Sequence, residues 1–268
     1  MSPIASTLQR FLREPPFRLL AKFSARILPC SLATAVRWEA LSRPQYAAGV
    51  LFAAQEARRL GVPSISLIEF GVASGAGLLV LQEYADRAAR EFDLKIEVFG
   101  FDLGKGLPKT DDYRDHPDAW RVGDYPMGDV AGLRARLKPF THLVLGDVAD
   151  TVPEFVRLQT SPVGFVSIDL DLYSSTRNAL RLFTLPGHRT LPHTPLYFDD
   201  TLMSFNHRFA GELLAIDDFN AESPTVKIDT WRSLPAGTAF PESPWLRAMY
   251  IAHDLSVAPV VRTTAVVL

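Results

Sequence analysis

Glu69-Phe70-Gly71-Val72-Ala73-Ser74-Gly75-Ala76-Gly77 is the stretch of sequence that decides the fold. It completes the apolar run Ile65 to Phe70, which predicts a buried strand, and it precedes Leu78 to Phe92, which predicts a helix. Glycines between a strand and a helix allow a tight turn and let the backbone approach a ligand closely. The stretch therefore predicts a ligand-binding loop in an α/β domain.

Strand and helix patterns alternate on both sides of this glycine loop (residues 69–77). Before it, Pro44 to Leu60 predicts a helix, with Gly61 suited to the C-terminal cap. After it, the predicted strands are residues 95–102, 142–146, 163–169 and 196–198, and the predicted helices are 129–137, 152–158, 174–183 and 209–220. Residues 246–252 and 263–268 are two further strand candidates. The alternation predicts a doubly wound, mostly parallel, Rossmann-like sheet with helices on both faces.

Every predicted parallel strand ends in a carboxylate. The strand ends carry Glu69, Asp102, Asp147, Asp169 with Asp171, and Asp199 with Asp200. Aspartate is also common in turns and at helix N-caps, so some acids are expected there without any function. However, doubly wound sheets bind their ligands at the carboxyl ends of the strands. A carboxylate at all five ends therefore predicts a binding site along this edge.

The glycine spacing and Glu69 indicate the class of cofactor. Gly71, Gly75 and Gly77 do not match the G-x-G-x-x-G spacing of dinucleotide-binding loops. An acid two residues before the first glycine suits a cationic ligand better than a pyrophosphate. S-adenosylmethionine carries an ammonium and a sulfonium and no phosphate, and Asp102 and Asp147 are placed for its ribose and adenine. The predicted cofactor-binding residues are Glu69, Gly71, Gly75, Gly77, Asp102 and Asp147.

The later acids suggest a metal site. Asp169 and Asp171 alternate on a strand and would share one face, whereas Asp199 and Asp200 converge only if the chain turns there. All-oxygen ligands suit Mg²⁺, with Mn²⁺ or Ca²⁺ as alternatives. Asp171 or Asp200 could instead cap the following segment. Crowded carboxylates repel one another, and a bound cation would remove that cost.

Five segments in this order resemble class I methyltransferases of the macrocin O-methyltransferase type. They are EFGVASGAG (69–77), GFDLGKGLP (100–108), LVLGDVADTVP (143–153), FVSIDLDLYSST (165–176) and YFDD (197–200), and the resemblance covers roughly residues 44–220. It implies that Asp169, Asp199 and Asp200 bind Mg²⁺ and that a hydroxyl group is methylated. Thr201 to Phe209 lacks the usual Tyr-Gly continuation, and residues 1–43 and those beyond 221 have no match. The acceptor therefore does not carry over.

Methyl transfer requires an aligned acceptor and a group that takes its proton. A metal can lower the pKa of an alcohol and orient it. Asp169 is the candidate catalytic residue, as a proton acceptor, and His207 is a weaker candidate because a single loop histidine is more often solvated. The leading hypothesis is an S-adenosylmethionine-dependent O-methyltransferase with a hydroxylated small molecule as acceptor. A non-catalytic S-adenosylmethionine-binding domain and a nicotinamide-dependent dehydrogenase are the alternatives.

Composition limits the partners and the compartment. Lys plus Arg total 28 and Asp plus Glu total 30, so the formal net charge is −2 and no basic field favours nucleic acid. No apolar run reaches the roughly 18 residues of a membrane span. The single Cys30 excludes an internal disulfide and is consistent with a cytoplasmic protein.

The first 43 residues predict a helical extension before the methyltransferase domain of residues 44–268. Basic residues predominate there, which is compatible with a transit peptide or a membrane-surface helix, but Pro15-Pro16 break the segment. We favour an amphipathic helix packed on the domain. Its predicted apolar face is Leu8, Phe11, Leu12, Phe17, Leu19, Leu20, Phe23 and Leu28.

Overall fold

The computed structural model describes residues 16–110, 112–203 and 205–256, which contain a seven-stranded sheet. The strands are β1 (Ser64–Phe70), β2 (Lys95–Asp102), β3 (Thr141–Leu145), β4 (Val163–Ile168), β5 (His193–Phe198), β6 (Val226–Thr230) and β7 (Met249–Asp254). Their order is β3-β2-β1-β4-β5-β7-β6. β1 to β5 are parallel, and β7 runs antiparallel to both β5 and β6.

Helices cover both faces of the sheet. They are α1 (Phe17–Ile27), α2 (Leu32–Arg37), α3 (Pro44–Leu60), α4 (Ala76–Phe92), α5 (Val130–Arg136), α6 (Val148–Leu158), α7 (Tyr173–Leu180), α8 (Gly211–Glu222) and α9 (Leu234–Gly237). One core cluster packs Leu51 of α3 and Leu81 of α4 against the sheet. The other packs Phe155 of α6, Leu180 of α7 and Ile216 of α8 against the opposite face. The predicted doubly wound, mostly parallel α/β fold is confirmed.

The parallel half of the chain follows its sequence patterns closely. β2 has the predicted bounds, and α3 begins at Pro44 and ends at Leu60. Gly61 caps α3 with a left-handed φ of 71°, a conformation that glycine adopts without strain. β1 and β4 are buried along almost their whole length, as expected for strands covered by helices on both faces.

The C-terminal region differs from its prediction. The strand expected at residues 246–252 begins only at Met249, because Pro244–Ala248 forms a 3-10 turn. β6 was not predicted, although Val226-Lys227-Ile228-Asp229-Thr230 has the alternation of a half-buried strand. The last candidate, residues 263–268, lies outside the described residues.

The N-terminal helix contacts the domain through its basic residues. Arg18 forms a 2.7 Å ion pair with Glu242, and Lys22 lies 3.4 Å from Glu39. Both cations lie over the ring of Phe240, at 5.2 and 4.7 Å from its centroid. The polar side of α1, rather than its apolar side, therefore faces the domain.

The prediction that the apolar face of this helix is buried is wrong for the residues that the structure describes. No residue of α1 is buried. The side chains left exposed, at 57% to 63% of their surface, are Leu19, Leu20, Phe23, Ile27 and Leu28. Leu8, Phe11 and Leu12 lie outside the described residues. No helix in the described part of the chain has the length and apolarity needed to cross a bilayer.

A long loop, residues 103–128, connects β2 to α5 across the carboxyl edge of the sheet. Its two ends are joined by backbone hydrogen bonds from Leu107 to Asp124 at 2.8 Å and from Gly123 to Leu107 at 2.9 Å. Further along, the amide of Ser174 in α7 donates to Asp115 at 2.8 Å, and Arg114 lies over the ring of Tyr173. The loop is therefore fastened to α7 as well as to itself.

Candidate active site

A cavity of about 280 Å³ lies at the carboxyl edge of the parallel strands. It extends from the glycine loop to the acids after β4 and β5, and part of its wall is the long loop. Six of the predicted site residues line it: Gly71, Asp102, Asp147, Asp169, Asp199 and Asp200. The other three, Glu69, Gly75 and Gly77, do not line this cavity. The structure thus brings both halves of the predicted site to one opening.

The glycine loop depends on glycine for reasons of internal packing. Gly71 and Gly75 have left-handed φ angles of 83° and 84°. A Cβ atom at Gly71 would overlap the carbonyl oxygen of Asp169, and one at Gly75 would overlap Leu133. At Gly77 it would overlap the carboxylate of Glu69. The three glycines therefore let the loop pack against its own protein, in addition to any approach to a ligand.

Asp102 holds the glycine loop in its conformation. Its Oδ2 accepts hydrogen bonds from the amides of Val72 and Ala73, at 2.9 and 2.8 Å. Its Oδ1 accepts from the amide of Gly104 at 2.6 Å. A carboxylate offers about four acceptor positions, so one remains for a ligand hydroxyl. The predicted contact with ribose stays a prediction, and the structure adds this role in the loop.

Asp147 is the N-cap of α6, where its Oδ1 accepts from the amide of Ala149 at 2.8 Å. Its side chain is exposed at the end of the cavity nearest β3. Capping accounts for an aspartate at this position by itself. The predicted adenine or ribose contact remains a prediction.

Glu69 is buried at the end of β1 in a hydrogen-bonded group with two hydroxyls. Its Oε1 accepts from the hydroxyl of Tyr46 at 2.7 Å, and Ser167 donates to the same Tyr46 oxygen at 3.0 Å. Its Oε2 is buried without a partner among the described residues. Burial raises the pKa of Glu69 to about 8, despite the Tyr46 hydrogen bond, which lowers it.

Three carboxylates converge after β4 and β5 into what we call the acid group: Asp169, Asp171 and Asp200. One oxygen from each lies within 4.8 Å of the others. The sequence predicted Asp199 in the place of Asp171. In the structure, Asp199 also lines the cavity, but its Oδ1 accepts a hydrogen bond from the hydroxyl of Tyr197.

Asp171 reaches the acid group through an unusual backbone conformation. Its φ is 60°, in the left-handed region, and the amide of Leu172 donates to the carbonyl of Leu170 across it. A side chain other than glycine is disfavoured in that region, and such outliers concentrate at functional sites. Because this turn follows the end of β4, the direction of the Asp171 side chain is set by the turn and not by the alternation of side chains along the strand.

Among the described residues, no ion pair compensates the charges of the acid group. Burial, followed by the charges of Asp199 and Asp200, raises the pKa of Asp169 to about 7. The pKa of Asp171 is also raised to about 7, first by burial and then by the charges of Asp169 and Asp199. The pKa of Asp200 is raised to about 7 by burial and then by the charges of Asp171 and Asp199. The Oδ2 atom of Asp200 is buried without a partner among the described residues. An added positive charge beside these groups would lower their pKa values and favour their ionised forms.

Glu212, in the first turn of α8, adds a further buried carboxylate that the sequence did not single out. Its Oε2 accepts from the amide of Asp200 at 3.1 Å, and its Oε1 has no partner within the described ranges. Burial, and then the charges of Asp200 and Asp169, raise the pKa of Glu212 well above its usual value. Acids in the first turn of a helix are usually exposed to solvent, so the sequence gives no sign that Glu212 is buried.

The acid group fits a hard divalent cation. Two oxygens bound to one cation at about 2.0–2.6 Å lie at most about 4–5 Å apart, which the three carboxylates satisfy. The donor set contains only oxygen, and the unpartnered oxygen of Asp200 could serve as a ligand.

Arg43, immediately before α3, is a cation close to these acids that the sequence did not predict. Burial alone would lower its pKa, but Tyr46, Glu69, Asp199 and Asp169 together raise it. The sequence predicts only that Arg43 directly precedes the helix that begins at Pro44. Its proximity to the site depends on α3 packing over β4 and β5, which no local pattern reveals.

An aromatic cluster joins the long loop to residues 205–209. The ring of Trp120 packs edge-on against those of Tyr125 and Phe205, and Phe205 packs against His116. Tyr125 lines the cavity, with a left-handed φ of 59°. His207 packs on His116 and does not line the cavity, so the structure does not place this weaker candidate base at the site.

Comparison with solved structures identifies the fold. CalS11, a calicheamicin methyltransferase, is similar to this chain with a TM-score of 0.54 and 20% identity, over 95% of this chain and 93% of CalS11. The chain has the class I methyltransferase fold. An O-methyltransferase from Bacillus cereus in complex with SAH is similar over 88% of this chain and 97% of its own length, with a TM-score of 0.44 and 15% identity. No family model and no curated protein matches the sequence.

Within this methyltransferase fold, the glycine loop and the acid group lie on neighbouring strands. β1 pairs with β2 on one side and with β4 on the other, and β4 pairs with β5. Asp102 at the end of β2 and Asp169 after β4 therefore flank the loop that follows β1. The geometry can hold a cofactor over the loop and an acceptor over the acid group within the same cavity.

Proposed function

We propose that this chain is an S-adenosylmethionine-dependent O-methyltransferase that acts on an uncharged, hydroxylated small molecule with the help of a divalent cation. The observation that carries the proposal is the single cavity that contains both the glycine loop and the acid group. Methyl transfer needs the donor carbon and the acceptor oxygen in line and in contact, so both ligands must share one opening.

The charge of the cavity wall supports a cationic cofactor. Seven aspartates line the cavity, and none of the described residues that line it is a lysine or arginine. A sulfonium is favoured in such a field, whereas the pyrophosphate of a nicotinamide dinucleotide would be repelled. The same field disfavours an acceptor that carries phosphate or carboxylate near the reacting hydroxyl.

The acid group supports removal of the acceptor proton. A divalent cation bound there would lower the pKa of a hydroxyl group placed beside it. Asp169, Asp171 and Asp200 would hold the cation, with Asp199 alongside. Asp169 as the proton acceptor is the alternative to its role as a ligand: its pKa of about 7 suits a base near neutral pH only where no cation is bound, because a bound cation would lower that pKa.

Calorimetric titration of the purified full chain tests the cofactor assignment. We expect binding of S-adenosylmethionine and of S-adenosylhomocysteine, with no measurable binding of NAD, because the loop lacks dinucleotide spacing and the wall is acidic. NAD binding without S-adenosylmethionine binding would refute the proposal. As a matched control, Gly61→Ala changes a left-handed glycine far from the cavity and should leave both titrations unchanged.

The acceptor can be found by comparing metabolites of a strain with and without the gene. Loss of the activity should leave one compound lighter by one methylene group. Complementation with the unaltered gene should restore the heavier compound, and complementation with Asp169→Asn should not. If both complementations restore it, Asp169 has no essential part in the reaction.

A further inference from the structure

The position of Arg43 is unusual for a long side chain. It is the N-cap of α3, with φ 44° and ψ 63°, a left-handed conformation that glycine and asparagine adopt more readily. It makes no capping hydrogen bond with its side chain. The backbone carbonyl of Arg43 accepts from the amides of Tyr46 and Ala47, at 3.0 and 3.4 Å, so the backbone serves the helix start while the side chain takes no part in capping.

The guanidinium of Arg43 lies among acids without pairing to any of them. It stands over the ring of Tyr46, 5.2 Å from the centroid. The pKa of Arg43 is raised by four neighbours: Tyr46, Glu69, Asp199 and Asp169. Asp199 and Asp169 line the cavity. Yet no ion pair within 4.0 Å joins it to a carboxylate of the described residues. Arg43 does not line the cavity, but two of the acids that act on its charge do, and its own hydrogen-bond donors are not paired with a carboxylate of the described residues.

A second observation points to a ligand at the same place. Glu69 is 2% exposed, and its Oε2 has no partner among the described residues. The other oxygen accepts from Tyr46, the ring on which Arg43 lies. The guanidinium of Arg43 and the unpartnered oxygen of Glu69, at the end of β1, thus both lie beside Tyr46. A ligand carrying both an anion and a cation, such as an α-amino acid group, complements this pair.

We propose that Arg43 binds the carboxylate of the amino-acid part of S-adenosylmethionine, while Glu69 faces the ammonium of the same group. The inference rests on the proposed cofactor. It assigns to Arg43, which does not itself line the cavity, the recognition of a negative charge beside an acidic cavity wall.

Decarboxylated S-adenosylmethionine tests the contact directly. This probe keeps the nucleoside, the sulfonium and the amine, and lacks only the carboxylate. The unaltered protein should bind S-adenosylmethionine more tightly than the probe by about tenfold or more, as expected for a charge-assisted hydrogen bond. In Arg43→Gln this preference should disappear, because S-adenosylmethionine binding weakens while probe binding stays the same or tightens slightly.

Two further variants separate charge from structure. Arg43→Lys has the same backbone constraint and keeps the charge, so it should retain part of the preference. Arg58→Gln changes an exposed arginine at the other end of α3 and should retain all of it. Melting temperatures of all variants establish that the fold is intact.

The outcomes separate this inference from the proposed function. If Arg43→Gln weakens both ligands by the same factor, or weakens neither, Arg43 does not recognise the carboxylate and the inference is wrong. If the unaltered protein binds neither ligand, the proposed cofactor is wrong and the inference falls with it. Only selective loss of the carboxylate preference in Arg43→Gln supports the assignment.

Discussion

Asp102 and the acid group line the same cavity, but their carboxylate oxygens have different hydrogen-bond partners. Asp102, after β2, accepts hydrogen bonds from three backbone amides, of Val72, Ala73 and Gly104. The acid group after β4 and β5 contains a buried oxygen without a partner, and burial with mutual repulsion raises the pKa of each member to about 7. Asp102 and the members of the acid group are all aspartates at the carboxyl edge of the sheet.

The difference distinguishes a carboxylate that builds the site from carboxylates that await a ligand. A carboxylate that accepts from three amides stabilises the folded protein in the absence of any ligand, because its charge is already solvated by those amides. An unsaturated buried group costs stability until a cation compensates it. Removing a charge should therefore have opposite effects on stability at the two places.

The largest effect is expected for Asp102→Ala. Three amides would lose their acceptor, that of Val72 buried and those of Ala73 and Gly104 partly buried, and an unpaired buried amide costs about 1–3 kcal/mol. We expect the free energy of unfolding to fall by about 3 kcal/mol or more in urea denaturation. Asp147→Ala is the matched control, because this exposed N-cap makes one such bond and should cost about 1 kcal/mol. Equal losses for the two variants would show that Asp102 has no special part in holding the glycine loop.

An effect of opposite sign is expected for Asp200→Asn in protein freed of metal by chelation. The folded pKa values of the acid group lie near 7, against an ordinary value of 3.8. Between these values the folded protein binds more protons than the unfolded chain, so the contribution of these groups to stability falls as pH rises from about 4 to 7. The shift of about three pKa units corresponds to about 4 kcal/mol. Because the asparagine amide is itself a buried polar group, which offsets part of this gain, we expect the variant to be more stable than the unaltered protein by about 2 kcal/mol at pH 8.

The pH dependence provides the check on that second prediction. At pH 5 the acid group is largely protonated in the folded protein, so the advantage of Asp200→Asn should be small there. Urea denaturation of both proteins at pH 5 and pH 8 measures the difference, and acids elsewhere in the chain cancel in the comparison. A stability difference that does not change between the two pH values contradicts the electrostatic explanation.

A smaller effect distinguishes the metal ligands indicated by the structure from those implied by the sequence. Asp171 belongs to the acid group, whereas Asp199 accepts a hydrogen bond from Tyr197. We expect Asp171→Asn to weaken Mn²⁺ binding about tenfold, a loss of about 1.4 kcal/mol, and Asp199→Asn to weaken it less. Calorimetry with Mn²⁺ alone measures both. The reverse order would restore Asp199 as the ligand that the resemblance implied.

The sequence predicts those parts of the molecule that are governed by local pattern. Alternating strands and helices gave the parallel sheet, and the carboxylates at the strand ends marked the edge where the cavity lies. The short edge strand β6 was missed because Lys227 and Asp229 make it look like a polar connection, although its alternation was a usable signal.

The rest depended on contacts between distant segments. Asp171 displaced Asp199 from the acid group because a left-handed turn, not the strand, sets the direction of its side chain. Arg43 is far from the acid group in sequence, and Glu212 returns to Asp200 only through the packing of α8, so no motif spacing includes either residue. The N-terminal helix was predicted to bury its apolar side, but ion pairs and cation–π contacts with the domain orient it the other way.

The closed base of the long loop has a consequence for how such a protein can change. Because Leu107 is hydrogen-bonded to Gly123 and Asp124, the chain leaves and re-enters the domain at adjacent backbone positions. A segment between two such positions can lengthen, shorten or be exchanged at small entropic cost, since loop closure depends only weakly on length. Most of the loop residues that line the cavity, Leu103, Gly106, Asp124 and Tyr125, lie outside the segment between Leu107 and Gly123. The closed base therefore keeps this part of the cavity wall on a fixed frame while the segment beyond it varies.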